Sequence, residues 1–98
     1  MMAAPKLTMN QKISLMKDVL FQDLIGESAL LNLETEEYFG LDETGTRMLF
    51  VLRESESIQA AYDLLLEEYE VEPEQLQKDL LNFIEKLIEQ GLVEVSDS

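Results

Sequence analysis

The side chains available for chemistry in this chain are carboxylates, lysines, arginines, hydroxyls and tyrosines. Its 98 residues hold 21 Asp and Glu but neither cysteine nor histidine. Without thiol or imidazole there is no Cys nucleophile, no Ser-His-Asp triad, no zinc site built on Cys and His, and no disulfide. Acid–base work is left to carboxylates, Lys and Tyr, and none of these stands in a recognisable catalytic pattern. The acidic run Glu67, Glu68, Glu70, Glu72 and Glu74 lacks the D-x-D-x-D-G loop of an EF-hand and reads as a solvated helix end. The expectation is a chain that is not an enzyme, uses no cofactor and holds no metal.

Charge narrows the class further. Seven basic residues against 21 acidic ones give a net charge of −14. Residues 1–20 set Lys6, Lys12 and Lys17 against Asp18 alone, so the negative charge falls on the rest of the chain. Nucleic-acid affinity depends on Lys and Arg neutralising phosphates. A body this acidic repels DNA and anionic membranes and favours basic or neutral partners. No apolar run approaches the ~20 residues needed to span a bilayer, and the N-terminus has no apolar signal core. Cytoplasmic location is the default expectation.

Pattern places the elements. Residues 1–11, with Pro5, read as a flexible arm, and residues 12–95 as one domain. Ile13 and Leu15 alternate weakly. Val19, Phe21 and Ile25 share one face of a strand, Gly26-Glu27 reads as a turn, and Ser28 to Leu33 as a second strand. Glu34-Thr35-Glu36 turns the chain into a third strand, Glu37 to Leu41. Short loops make the pairing an antiparallel meander. The period then changes to about 3.6 residues. Asp42 caps a first helix and Ser57 a second, while Pro73 suits the first turn of a third that Gly91 stops. Leu92 to Val95 reads as a brief extended tail. Three antiparallel strands followed by three helices form an α+β layout.

The last helix is unusually apolar around its circumference. At about 100° per residue, Leu76, Leu80, Leu81, Phe83, Ile84, Leu87 and Ile88 span roughly 160°, wider than the ~100° stripe of a simple core helix. Either it faces both the core and a groove, or a small domain wraps it deeply.

Three segments carry a family resemblance: Leu30-Leu31-Asn32-Leu33-Glu34-Thr35, Tyr38-Phe39-Gly40-Leu41-Asp42-Glu43-Thr44-Gly45, and Asp79 through Leu80, Phe83, Ile84 and Leu87 to Gly91-Leu92-Val93. Ser57 to Tyr69 matches the middle helix between them. The chain resembles the PqqD-like family of recognition elements for ribosomally synthesised and modified peptides (RiPPs), and within it most resembles the free-standing leader-binding proteins of lasso-peptide pathways. The resemblance implies a winged helix-turn-helix-like fold. It also implies a precursor leader peptide bound as an added antiparallel strand on Glu37–Leu41, beside the last helix. A separate leader peptidase and an ATP-dependent cyclase are the partners it implies. Two departures stand out: Glu36 occupies a turn position where the family often has Gly, and Asp42 stands where Asn is common. Glu36 implies either a different turn or a mildly strained one, which leaves the register of that hairpin open.

Carrying the family site over places Glu37, Tyr38 and Phe39 on the docking edge and Leu76, Asp79, Leu80 and Phe83 on the helix wall. Tyr38 and Phe39 point to opposite faces, so at most one lines the pocket. Leu76 and Leu80 are also the residues a plain core would bury, and Asp79 also fits a solvated face. Gly45, in the first turn of a helix, implies close approach of another backbone. Glu34, Glu36 and Glu37 would keep the free edge from pairing with copies of itself. Two other readings share the fold: a PqqD-type peptide chaperone for a radical SAM enzyme, and a winged-helix DNA-binding regulator, which the charge disfavours. Both a monomer and an edge-strand dimer are compatible with the pattern.

Overall fold

A computed structural model describes residues 7–97. In chain order the elements are β1 (Gln11–Leu15), β2 (Val19–Leu24), β3 (Glu27–Asn32), β4 (Glu37–Leu41), α1 (Glu43–Glu54), α2 (Ile58–Glu68), α3 (Pro73–Glu89) and β5 (Val93–Asp97). The layout is α+β, as expected, but the single three-stranded sheet needs correcting. β2, β3 and β4 form the expected meander, and β1 pairs with β5 in a second, two-stranded antiparallel sheet. The weak alternation around Ile13 and the apparent tail at Leu92–Val95 are two halves of one ladder, with Ile13 opposite Val95 and Leu15 opposite Val93. Each half is too short to announce itself as a strand before the other covers it.

Residues 1–6 of the expected arm lie outside the described residues. Residues 7–11 are in contact with the domain. Leu7 and Met9 pack against the core, the Met9 carbonyl accepts the Gln59 N–H at 2.8 Å, and Gln11 opens β1.

The helix boundaries follow their caps. Asp42 Oδ1 accepts the Gly45 N–H at 2.8 Å, and Ser57 Oγ accepts the Ala60 N–H at 3.1 Å. Each satisfies a backbone donor that the helix cannot. Pro73 starts α3 without a side-chain cap. Gly91 ends it at φ 70, which lets the Leu92 N–H reach back to the Leu87 carbonyl at 3.0 Å. At the C-terminal end of α1 the Lys12 ammonium donates to the carbonyls of Ser55 (2.7 Å) and Arg53 (3.2 Å). A cation from β1 thus sits at the negative end of the helix dipole.

The core joins both sheets to the helices. Leu49 and Leu52 of α1, Ile58 and Leu65 of α2, and Leu80, Ile84 and Leu87 of α3 are fully buried with Leu30 and Ile13. On α3 the buried residues Leu76, Leu80, Ile84 and Leu87 occupy only about 80° of arc. The rest of the wide apolar sector flanks this stripe: Phe83 lies half-buried on one side, and Leu81 and Ile88 lie on the other. The helix is not wrapped deeply, and its extra apolar surface is left at the margins.

The hairpin containing Glu36 keeps its register, Asn32 opposite Glu37 and Leu30 opposite Phe39. Asn32 Oδ1 accepts the N–H groups of Glu34 (2.9 Å) and Thr35 (3.2 Å), and the Asn32 carbonyl accepts that of Glu36 (2.7 Å). Closing this four-residue turn forces Glu36 to φ 63, the one positive φ of a non-glycine among the described residues. Of the two turns open from sequence, the structure has the strained one. A side chain in this region costs about 1 kcal/mol relative to glycine. Glu36→Gly should therefore stabilise the domain by up to about 1 kcal/mol, which for a domain of this size raises Tm by roughly 4–8 °C. Thermal denaturation followed by circular dichroism measures it, and an unchanged or lower Tm would show that the turn carries no strain.

Candidate functional site

The candidate site begins with β4. It is an edge strand of the sheet, with β3 on one side and, among the described residues, no strand on the other. Successive residues of an antiparallel strand direct their N–H and C=O groups alternately to either side, so part of the β4 backbone is unpaired. Side chains alternate between the sheet faces. Phe39 lies in line with Leu30, which is fully buried, so it faces the helices, where it is half-buried against the core. Tyr38 lies in line with Leu31 and Leu20 on the outer face and is 67% exposed. The choice left open from sequence is thereby made: of the pair, Phe39 is on the helix side and Tyr38 is not. Glu37 is exposed at the start of the strand.

Helix α3 packs on α2 and β5 and approaches the end of β4 through Phe83. Gly45 marks the meeting point. A methyl group on Gly45 would stand 3.5 Å from Phe83 Cε1, 3.5 Å from Leu41 Cδ2 and 3.3 Å from Asp42 Oδ1. The sequence reading expected a neighbouring backbone here, but the neighbours are an aromatic ring, a leucine side chain and the capping carboxylate. Gly45 therefore lets Phe83 sit against the junction of β4 and α1. Ser28 and Thr46 tie the same junction to β3 through a 2.7 Å hydroxyl–hydroxyl hydrogen bond.

The remaining wall residues divide by exposure. Leu76 and Leu80 are buried, 4% and 0% exposed, so they support the wall from inside and offer little surface to a ligand. Asp79 is exposed and accepts from Gln75 Nε2 at 2.8 Å. Asp79 and Phe83, four residues apart, share one flank of α3. The accessible candidates are thus Glu37, Tyr38, Phe39, Asp79 and Phe83. No acidic group among the described residues is clustered to hold a metal.

A cleft of about 310 Å³ lies not here but on the opposite flank, where the β2–β3 turn approaches α1. It is lined by Phe21, Asp23, Gly26, Glu27, Glu43, Thr46, Arg47 and Phe50. Sequence reasoning missed it. The available signal was Phe50, which falls outside the buried set Met48, Leu49, Val51 and Leu52 of α1 and is 48% exposed. Strand addition at β4 needs no enclosed cavity, because the backbone supplies the hydrogen bonds and shallow pockets supply the selectivity.

Fold and edge together define a class: a small α+β domain that offers a free strand edge next to a helix, the geometry used for strand addition. The chain belongs to the PqqD family, whose profile, described as coenzyme PQQ synthesis protein D, matches residues 27–93. It is a PqqD-like RiPP recognition element. Among solved structures it is similar to TbiB1 in complex with the TbiA(β) leader peptide, at 34% identity and a TM-score of 0.76, covering 85% of this chain and 94% of that one. A lasso peptide synthetase B1 complexed with the leader peptide shares the fold at 23% identity and a TM-score of 0.78, over 85% and 98% of the two chains. No curated protein matches the chain.

The contact at Gly45 gives a direct test of how the wall is built. A branched side chain there would displace Phe83 and the Asp42 cap together. Gly45→Val should destabilise the domain by about 1–3 kcal/mol, the usual range for overpacking, measured as a shift of the urea midpoint. A stability equal to wild type would mean that Phe83 moves aside freely and is no fixed part of the wall.

Proposed function

We propose that this protein is a non-catalytic leader-binding module of RiPP biosynthesis, of the lasso-peptide kind. It takes up the leader of a ribosomally made precursor as an antiparallel strand on β4. Glu37, Tyr38 and Phe39 supply the backbone of the docking edge. Phe83 and Asp79 on α3 read side chains on the helix side of the added strand, while Leu76 and Leu80 hold that wall in place. The captured precursor is then presented to a leader peptidase and a cyclase. The observation that carries the reading is the placement of Phe83 against the β4–α1 junction, beside a strand whose outer edge is free. The 34% identical TbiB1, whose structure contains a leader peptide, supports it.

The energetics are within reach of such a surface. Micromolar affinity corresponds to about −8 kcal/mol. A strand's hydrogen bonds with two or three buried anchors supply this after the ordering cost of a disordered leader. The acidic edge at Glu34, Glu36 and Glu37 would favour a leader with some Lys or Arg, and it also discourages pairing of two β4 edges from separate copies. The net charge of −14 leaves the winged-helix DNA reading without an electrostatic basis.

The test is a fluorescence-anisotropy titration with the labelled leader of its precursor peptide. Wild type should bind at micromolar Kd or tighter. Phe83→Asp should weaken binding at least tenfold, about 1.4 kcal/mol. Asp79→Lys, at an exposed position that leaves the core intact, should weaken a leader carrying Lys or Arg opposite it. Equal affinities in all three proteins would remove the α3 wall from the site. Absence of wild-type binding would remove the function.

A further inference from the structure

Among the described residues the sheet has a second open edge, and it is the less protected one. β2 runs six residues, Val19 to Leu24, in unbroken register with β3. It contains neither proline nor a basic residue, and no bulge interrupts its pairing with β3. Asp23 is its one charge. Folded proteins usually blunt a long regular edge by such means, because its unpaired backbone invites another strand. Here Leu20 and Leu24 are 45% and 51% exposed on one face of that edge, and Ile25 stands fully exposed at the turn.

The cleft lies along the other face of the same strand. Phe21 and Asp23 form its strand side, and Glu43, Arg47 and Phe50 form its helix side. This repeats on β2 and α1 the arrangement that β4 and α3 make on the far side of the sheet. Its chemistry differs. The two rings already attract the chain's own cations: the Arg47 guanidinium lies 5.3 Å from the centre of Phe50 and that of Arg53 5.5 Å from the centre of Phe21. Arg47 is also engaged by both carboxylate oxygens of Glu68. That hydrogen bonding holds the Glu68 carboxyl below its usual range and raises the Arg47 guanidinium. With Arg47 paired to Glu68, the cleft presents the carboxylates of Asp23 and Glu43.

We propose that the β2 edge and this cleft form a second docking site, for an extended basic segment of a partner protein. The segment adds as a strand to β2. Its Lys or Arg side chains enter the cleft between Phe21 and Phe50, facing Asp23 and Glu43, and its alternate apolar side chains cover Leu20 and Leu24 beside Glu27. Charge selects this occupant over a second copy of the chain, since pairing two β2 edges would bring together two bodies of net charge −14. β2 and β4 are opposite edges of one sheet, so both sites can be filled at once. The proposal stands independently of the leader-binding reading.

The probe is the acetylated, amidated hexapeptide Arg-Val-Arg-Val-Arg-Val, titrated into 15N-labelled full-length protein. The expected result is saturable shifting of the amides of Val19–Leu24 and of Glu43, Arg47 and Phe50, weakening as salt rises, with no response to the Glu-Val counterpart. Asp23→Lys combined with Glu27→Lys should reduce affinity at least tenfold while leaving affinity for the leader unchanged. Phe50→Ala, on an exposed helix face, should also weaken it. Shifts confined to Glu37–Leu41, equal binding by the charge-reversed protein, or no shifts at all would overturn the proposal. So would a β2-mediated dimer of the chain, seen by sedimentation, that excludes the peptide.

Discussion

One short helix must satisfy two sheets at once, and the rest of the structure depends on that constraint. Helix α1 packs against β1, β3, β4 and α2, and it does so with Met48, Leu49, Val51 and Leu52, all buried within little more than one turn. Apolar burial of this kind is the main favourable term in a small domain. Both ends of the helix are therefore anchored by specific polar contacts. Asp42 holds the first turn, and Lys12 reaches across from β1 to hold the last carbonyls. The first contact fixes where β4 stops, and the second fixes where the two-stranded sheet lies.

The exposed margins of the domain follow from the same economy of core. Among the described residues there are three helices and none crosses the free edge of β4, while α3 reaches that strand mainly through Phe83 beside Gly45. On the other side, α1 leaves Phe21 and Phe50 only partly covered. A larger domain would close both margins with further helix or loop. Among the described residues this one leaves two strand edges open, each beside a helix that can contribute side chains, and its strong negative charge opposes the approach of a second copy to them.

Much of this was legible in the sequence where a signal was local. The meander showed in the alternation of Val19 and Phe21 and in the turn at Gly26. The helices showed in Asp42, Ser57, Pro73 and Gly91, each of which acts within a few residues of itself. Glu36 could be picked out because the family often has Gly at that turn, the residue that tolerates a positive φ. The β1–β5 ladder was not legible, because its partners stand far apart and five residues carry too little pattern. The division of Leu76 and Leu80 from Phe83 was also hidden. All three are apolar and lie on one sector of α3, and only the position of the other elements decides which is covered. The cleft at Phe21 and Phe50 joins a strand to a helix face, a pairing that no local pattern reports.

The β1–β5 ladder has a consequence for the order of assembly. Its register joins Gln11 to Asp97, across nearly the whole described chain, whereas the meander is built from hairpins whose strands follow one another directly. Loop closure over so long a span costs more entropy than a hairpin does, and contacts of high sequence separation slow folding. On the ribosome, β5 is also made after the meander and the three helices. The sheet bearing both open edges can thus form while Ile13 still lacks Val95 opposite it. The two-stranded ladder then acts as a clasp, closed last over a core that the helices have already gathered.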